Sequence, residues 1–293
     1  MPFPSDSYVY PQHLRRIIDD QIDQLPPSAG VYIFHGDDEH LPLYIGKSVN
    51  IRARVLSHLR TARELRMLNM TRRISHIRTA GEIGALLLEA KLIKQQQPLF
   101  NKRLRRNRHL CAWRVDGADG RNRVPVGPAL ELVDASRINF ATQPDLYGLY
   151  GSRHAAIQAM VVLADAHRLC LGVLGLERHT AGQACFRYQI NRCAGACGAH
   201  ESLSEHHSRL MQALQDVRVS CWPYRGAVAL KEVCALDPGF VQFHVVRNWC
   251  YLGSAATLEA ASGMDSVDTG FDGDGYKVLC KPMLQSEVAV IQW

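Results

Sequence analysis

Apolar positions divide the N-terminal third of this chain into short elements of changing period. AGVYIF (29–34) and PLYIG (42–46) are rich in aromatic and β-branched residues and flank the polar loop HGDDEH, a pattern that predicts two strands. From Val49 to about Arg60, Ile51, Val55, Leu56 and Leu59 recur at helical spacing. ISHIRT (74–79) alternates as a third strand, and EIGALLLEAKLIKQQ (82–96) predicts a stronger helix that stops before Pro98. The order β-β-α-β-α with short connections predicts a compact mixed domain of about 80 residues. Ahead of it, residues 1–24 read as a short helical lead-in ended by Leu25-Pro26-Pro27.

Downstream the pattern is looser. ADGRNRVPVGP reads as a turn-rich linker, and 153–168 and 201–218 read as helices on either side of a cysteine-bearing stretch. Near the end, FVQFHVV and YKVLCKP read as strands around a Gly/Asp-rich turn. The predicted class is α+β. A small mixed β-sheet with flanking helices occupies 25–108, a linker 109–144, a helical cysteine-cluster segment 145–218, and a small C-terminal α/β region of open role 219–293.

Composition narrows the setting. The chain has 293 residues, enough for two small cores, and its 47% apolar and 21% charged fractions exclude disorder as the default. It contains no apolar run long enough for a membrane helix, and its start lacks a signal-peptide layout, which predicts a cytoplasmic protein with no membrane partner. The net charge of +6 is unevenly spread: residues 1–110 hold 18 Lys/Arg against 10 Asp/Glu, and the remainder holds 16 against 18. A polyanion bound to the first third gains from counterion release and faster encounter, which favours nucleic acid as a partner.

One carboxylate stands out. On a helix over 82–96, Glu89 falls between Leu86 and Ile93 on one flank and Ala85 and Leu92 on the other. A charge in that arc needs a partner, and a structural ion pair and a divalent cation serve equally well on pattern alone. Glu82 lies near the helix start, where the macrodipole favours it. On the preceding helix Arg54 and His58 stand four apart and can face one site, while Arg52 is expected to turn outward. Gly46-Lys47-Ser48 sets a cation at a strand-to-helix turn without the glycine spacing of a P-loop.

Nine cysteines argue for buried thiols or a metal site rather than a disulfide framework. Cys170, Cys185, Cys193 and Cys197 are separated by 14, 7 and 3 residues, with the last pair expected on one helical face and Arg187 and Arg192 nearby. That spacing is only a moderate metal signal, because zinc modules usually open with closer pairs. Cys111, Cys221, Cys234, Cys250 and Cys280 show no grouping. Lys102, Arg103, Arg105, Arg106 and Arg108 place five cations in seven residues, either a solvated helix end or a grip on DNA phosphates. Phe271-Asp272-Gly273-Asp274-Gly275 lacks the further ligands of a calcium loop and reads as a β-turn.

Together, Gly30-Val31-Tyr32, Tyr44-Ile45-Gly46, Arg54, Glu89 and Asn101 resemble the GIY-YIG nuclease family in order and rough spacing. LPPSAGVYIF, LYIGKSVNIRARVLSHL and LLLEAKLIKQQQPLFNKRL are similar to the N-terminal domain of UvrC-type proteins, and YGLYGSRHAAIQAM and CFRYQINRCAGAC to the segment that follows it. The resemblance covers most of residues 25–200, and the chain is too short for UvrC's second, RNase H-like nuclease.

The resemblance implies metal-dependent phosphodiester hydrolysis on the 3′ side of a DNA lesion in nucleotide excision repair, with delivery by UvrB. It implies that Glu89 holds one Mg²⁺ or Mn²⁺, that Arg54 binds the scissile phosphate, and that Tyr32 and Tyr44 position or deprotonate the attacking water. Lys47 would aid them by lowering a neighbouring phenol's pKa, and Asn101 would orient the site through its amide. His58 stands where many UvrC proteins carry tyrosine, and is read as a site residue with no assigned task. The cysteine quartet would hold a [4Fe–4S] cluster. Two other readings are a free-standing GIY-YIG nuclease acting on branched or foreign DNA and a non-catalytic DNA-binding adaptor. The UvrC-like cysteine segment argues against the first. The intact set of Tyr, Lys, Arg and Glu argues against the second.

Overall fold

The strand β1 (Gly30–His35) is apolar at nearly every position because both of its faces are covered. It lies at the centre of a three-stranded antiparallel sheet, between β2 (Pro42–Ser48) and β3 (Arg73–Arg78). With side chains alternating across the strand, Val31 and Ile33 pack with Ile45 against Ile93, Leu88 and Leu92 of α3 (Glu82–Gln96). Tyr32 and Phe34 pack on the opposite face against Ile51, Val55 and Leu59 of α1 (Ile51–Leu59). A short α2 (Leu65–Met70) connects α1 to β3. The computed structural model describes residues 14, 20–38, 40–102, 104, 110–115, 130–178, 180, 182–264 and 270–293. Of the lead-in, Leu14, Asp20 and Gln21 are helical, and most of its other residues lie outside that set.

Local chemistry explains the boundaries. α1 starts where the Asn50 side chain accepts the Ala53 N–H at 2.9 Å. α3 ends at Gln97, which takes a left-handed conformation (φ 49°) directly before Pro98. Beyond it, residues 99–101 shield the free edge of β2: Leu99 N–H and Phe100 N–H donate to the carbonyls of Pro42 and Leu43 at 3.0 and 2.8 Å.

The chain divides into two compact units, Met1–Asn107 with Tyr224–Trp293, and Arg108–Pro223. The C-terminal stretch of the first unit forms an antiparallel sheet of β7 (Val228–Cys234), β8 (Asp237–Arg247), β9 (Cys250–Ala255) and β10 (Ala289–Gln292), ordered β10-β7-β8-β9. FVQFHVV lies in β8 as expected, but YKVLCKP does not form a strand. It belongs to an α-helix, Gly273–Leu284, which buries Gly275, Leu279 and Met283 at four-residue spacing and carries Pro282 near its end. Phe271–Gly275 is likewise not a free β-turn. Asp272 is the N-cap of that helix and accepts the Asp274 N–H at 3.1 Å.

In the second unit β4 (Cys111–Val115), β5 (Leu130–Asp134) and β6 (Leu146–Tyr150) form an antiparallel sheet ordered β5-β4-β6. Thus 109–144 contributes two strands, while ADGRNRVPVGP lies outside the described residues. α4 (Arg153–Ala166) packs Ala156, Met160 and Ala164 on that core. After the four-residue α5 (Phe186–Gln189), α6 (Leu203–Leu214) begins with a capping box formed by Ser202 and Glu205. Among the described residues the first unit also holds α7 (Leu258–Ser262) and α8 (Gly273–Leu284, above). Among the described residues, no helix is long and apolar enough to cross a membrane.

Candidate active site

Two glycines bring the site together. A Cβ at Gly46 would lie 2.3 Å from the Tyr32 hydroxyl and 2.8 Å from the Tyr44 ring, and one at Gly30 would lie 2.2 Å from the Ile77 carbonyl. Only glycine therefore lets Tyr32 lie flat across β2 beside Tyr44, with the two ring centroids 6.2 Å apart.

Tyr32 is 1% exposed, yet its hydroxyl is well partnered. It stands 2.7 Å from His58 Nε2, and the Arg54 guanidinium is near enough to oppose the rise that burial gives its pKa. His58, itself 3% exposed, engages Glu64 through Nδ1. The Glu64 carboxylate can only accept, so the imidazole places its proton on Nδ1 and leaves Nε2 to accept from Tyr32. Burial pushes both phenols above their ordinary range. Burial also lowers the pKa of His58, and Glu64 opposes that shift.

Glu89 resolves the sequence anomaly in an unexpected way. One carboxylate oxygen accepts the backbone N–H of Lys47 at 3.0 Å. Among the described residues, no Lys or Arg forms a salt bridge with it. Burial raises its pKa, against the pull of Lys47 and Arg54. A carboxylate with one oxygen uncommitted, beside two phenols and an arginine, is a hard oxygen donor of the kind that suits Mg²⁺ or Mn²⁺, which bind through few carboxylates and keep other positions for water and phosphate.

Lys47 departs from expectation. Its ammonium bonds Glu82 Oε1 at 2.5 Å, and the cation that acts on both phenols is Arg54. Asn101 is more than a helix-stop residue: its amide accepts the Ile45 N–H at 3.0 Å and donates to the Ile45 carbonyl at 2.9 Å, clamping β2 where it carries Tyr44. Arg52, expected to turn outward, folds back onto the carbonyls of Leu25 and Asp23 at 2.7 and 2.5 Å. Sequence reasoning missed Glu64, which lies beyond the end of α1 in the turn Ala62–Glu64, where helical periodicity no longer applies. Lys102 is exposed, and Arg103, Arg105, Arg106 and Arg108 lie outside the described residues.

In the second unit the sulfur atoms of Cys170, Cys185, Cys193 and Cys197 all lie within 4.8 Å of one another. The last pair does not share a helical face: Cys193 lies in a bend and Cys197 in the short 3₁₀ segment Ala196–Gly198. Backbone N–H groups of Cys185 and Gly195 point at the sulfurs of Cys197 and Cys193, each at 3.3 Å. Arg187 and Arg192 are indeed close by, paired with Asp165. Four converging thiols with amide donors are a donor set that fits a thiolate-held metal group.

Comparison with known proteins covers the whole architecture. Residues 28–102 match the UvrC-like GIY-YIG domain, 127–216 the UvrC/Cho excinuclease middle domain, and 227–293 the excinuclease Cho C-terminal domain. The chain is 53% identical to excinuclease Cho of Escherichia coli (strain K12) over 97% of this chain and 91% of that protein. Identity to excinuclease Cho of Salmonella typhi is 50%, over 97% of this chain and 92% of that protein. UvrABC system protein C of Maricaulis maris is 33% identical over 62% of this chain and 28% of its own length. A crystal structure of the GIY-YIG N-terminal endonuclease domain of UvrC from Thermotoga maritima, bound to magnesium as its catalytic divalent cation, shares 29% identity with a TM-score of 0.27, covering 31% of this chain and 99% of that one.

Proposed function

This chain belongs to the excinuclease Cho family, and from that premise we propose that it cuts damaged double-stranded DNA on the 3′ side of a lesion during nucleotide excision repair, in the cytoplasm, after delivery by UvrB. It is a DNA-repair endonuclease of the GIY-YIG type. The observation that supports the chemistry best is the relay from Tyr32 through His58 to Glu64, opening beside Arg54 and Glu89.

In this reading Tyr32 orients the attacking water and passes protons without becoming a phenolate. A water proton moves to the Tyr32 oxygen as the Tyr32 proton moves to His58 Nε2, and the resulting imidazolium is held by Glu64. The water oxygen forms the new bond to phosphorus, the bond from phosphorus to the 3′ oxygen breaks, and that oxygen takes a proton from solvent. Arg54 binds the phosphate, and Tyr44 packs beside Tyr32 to complete the pocket for the nucleophile. Asn101 and Lys47 hold β2 and the start of α3 in place. Glu89 would hold the Mg²⁺ or Mn²⁺, which supplies charge neutralisation at the phosphate and at the leaving oxygen. Lys102, Arg103, Arg105, Arg106 and Arg108 would grip flanking phosphates, and Cys170, Cys185, Cys193 and Cys197 would hold a [4Fe–4S] cluster.

The test is incision of a duplex carrying one bulky adduct, with and without damage-loaded UvrB, mapping cuts on each strand. A single cut 3′ of the lesion that requires UvrB is expected, and Glu89→Ala should abolish it while DNA binding survives. Cutting without UvrB would instead identify a free-standing nuclease, and no cutting with any divalent metal would overturn the enzymatic reading. Iron with inorganic sulfide after anaerobic purification is expected for the cysteine site; stoichiometric zinc would reject the cluster.

A further inference from the structure

The first N–H groups of an α-helix have no partner within the helix, and a side chain just ahead of the first turn usually supplies one. α3, which carries Glu89, lacks that residue: its N-cap is Gly81, which has no side chain to offer. The missing cap comes instead from a strand far along the chain. Glu232 in β7 accepts the Ile83 N–H through Oε1 at 3.0 Å and the Gly84 N–H through Oε2 at 2.9 Å.

Glu232 is itself held in place. His244 of β8, fully buried, meets Glu232 Oε2 with Nε2 at 2.8 Å and Ser254 Oγ with Nδ1 at 2.7 Å. The Tyr251 hydroxyl closes the network on Ser254 at 2.5 Å. His244 and the two amides keep the Glu232 carboxyl below its ordinary range despite burial, so a negative charge faces the positive end of the α3 dipole. Two glycines make room for this approach. A Cβ at Gly81 would lie 2.4 Å from Glu232 Oε1, and one at Gly84 would lie 2.4 Å from His244 Cε1.

The same C-terminal stretch grips α3 further along. Lys91 Nζ donates to the Leu252 carbonyl at 2.7 Å, and Lys94 Nζ meets Asp272 at 2.6 Å and Asp274 at 3.2 Å. Glu89 lies between the capped end and these two anchors. Its bond to the Lys47 N–H is therefore set by a helix whose ends are pinned from outside the GIY-YIG domain. We propose that Glu232 is a positioning residue for the nuclease site, an N-cap supplied by the C-terminal sheet that fixes where Glu89 points. The proposal rests on the reading of Glu89 as the metal ligand, and it gives residues 227–293 a task in the chemistry.

The experiment uses the full chain with Glu232→Ala, Glu232→Gln, Glu89→Ala, and the double variant Glu232→Ala with Gly81→Asp. Gly81 already has the extended backbone of an N-cap (φ −160°, ψ −168°), and truncating Glu232 clears the space an aspartate needs. Three readouts apply: hydrogen exchange at the Ile83 and Gly84 amides, Mn²⁺ affinity by electron paramagnetic resonance without DNA, and kcat and KM for incision. In Glu232→Ala, exchange at both amides should rise about five- to tenfold, the equivalent of one lost cap. Mn²⁺ binding should weaken and kcat fall, while KM for DNA stays unchanged. Gly81→Asp should restore all three, a rescue that general destabilisation by Glu232→Ala does not predict. Should Glu232→Ala fail to fold, Glu232→Gln, which keeps one acceptor, should show the same changes at smaller size. Wild-type Mn²⁺ affinity and kcat in folded Glu232 variants would overturn the positioning role alone. If Glu89→Ala leaves Mn²⁺ binding intact, the ligand reading falls and this proposal falls with it.

Discussion

The Tyr32 hydroxyl stands 2.7 Å from Nε2 of His58, on the one ring nitrogen that Glu64 leaves free to accept a proton. The two residues are brought together by β1 and α1, and neither is more than 3% exposed. His58 thus has a definite place in the geometry of the site, and the proposed mechanism makes it the proton acceptor behind the tyrosine. His58→Phe should lower kcat for incision by roughly 10²- to 10⁴-fold, the usual span for a lost proton acceptor. Glu64→Gln keeps a hydrogen bond but removes the charge, so a smaller loss is expected. Steady-state kinetics with DNA affinity measured in parallel would check this, and a wild-type rate in His58→Phe would remove the relay.

Glu89 bears a carboxylate whose pKa is raised by burial. A carboxyl with a folded pKa above its unfolded value contributes most below the unfolded pKa and loses that contribution as pH rises through the folded value. In metal-free protein, Glu89→Gln should therefore melt at or above the wild-type temperature at neutral pH, with the difference closing in mildly acidic buffer. Added Mg²⁺ should raise the wild-type melting temperature and leave Glu89→Gln unmoved, because only the wild type gains binding energy in its folded state. A metal-induced rise in the variant would place the ligand elsewhere.

Asn101 satisfies both the N–H and the C=O of Ile45, a residue with no exposed surface. Asn101→Ala strands the two groups, at about 1–3 kcal/mol each. A loss of roughly 2–6 kcal/mol in unfolding free energy follows, measurable by urea titration. Asn101→Asp keeps the acceptor and loses the donor, so it should fall between. If Asn101→Ala costs under about 1 kcal/mol, the clamp does not hold β2.

In the second unit His206 Nε2 accepts the Cys170 N–H at 3.0 Å, and burial pushes its pKa down to about 4. A histidine with a depressed folded pKa favours the native state above its unfolded pKa, and that contribution disappears as pH falls towards the folded value. Stability should drop by about 3 kcal/mol at most as pH falls from the ordinary histidine range to about 4, with His206→Gln flattening the slope. Urea midpoints at a series of pH values decide it, and equal slopes in the two proteins would count against a buried neutral imidazole.

Much of the nuclease fold was legible because its signals are local. The aromatic and β-branched run at Gly30–His35, helical spacing over Ile51–Leu59 and Glu82–Gln96, and the stop at Pro98 each involve residues within a few positions of one another. YKVLCKP (276–282) reads as a strand because one β-branched residue and an apolar cluster outweigh a helical spacing that only Gly275, Leu279 and Met283 carry.

By itself, the sequence determined the order of the main elements in the N-terminal domain, the family, and the identity of one carboxylate on an apolar helix face. The tertiary structure alone decided which groups that carboxylate and its neighbours meet. Glu64 reaches His58 only because the chain turns at Ala62–Glu64, and Lys47 spends its charge on Glu82 rather than on a phenol. Glu232 reaches the start of α3 across 149 positions of chain. Periodicity records what a residue buries against along its own element. Hydrogen bonds between elements depend on distances that arise only once those elements have packed.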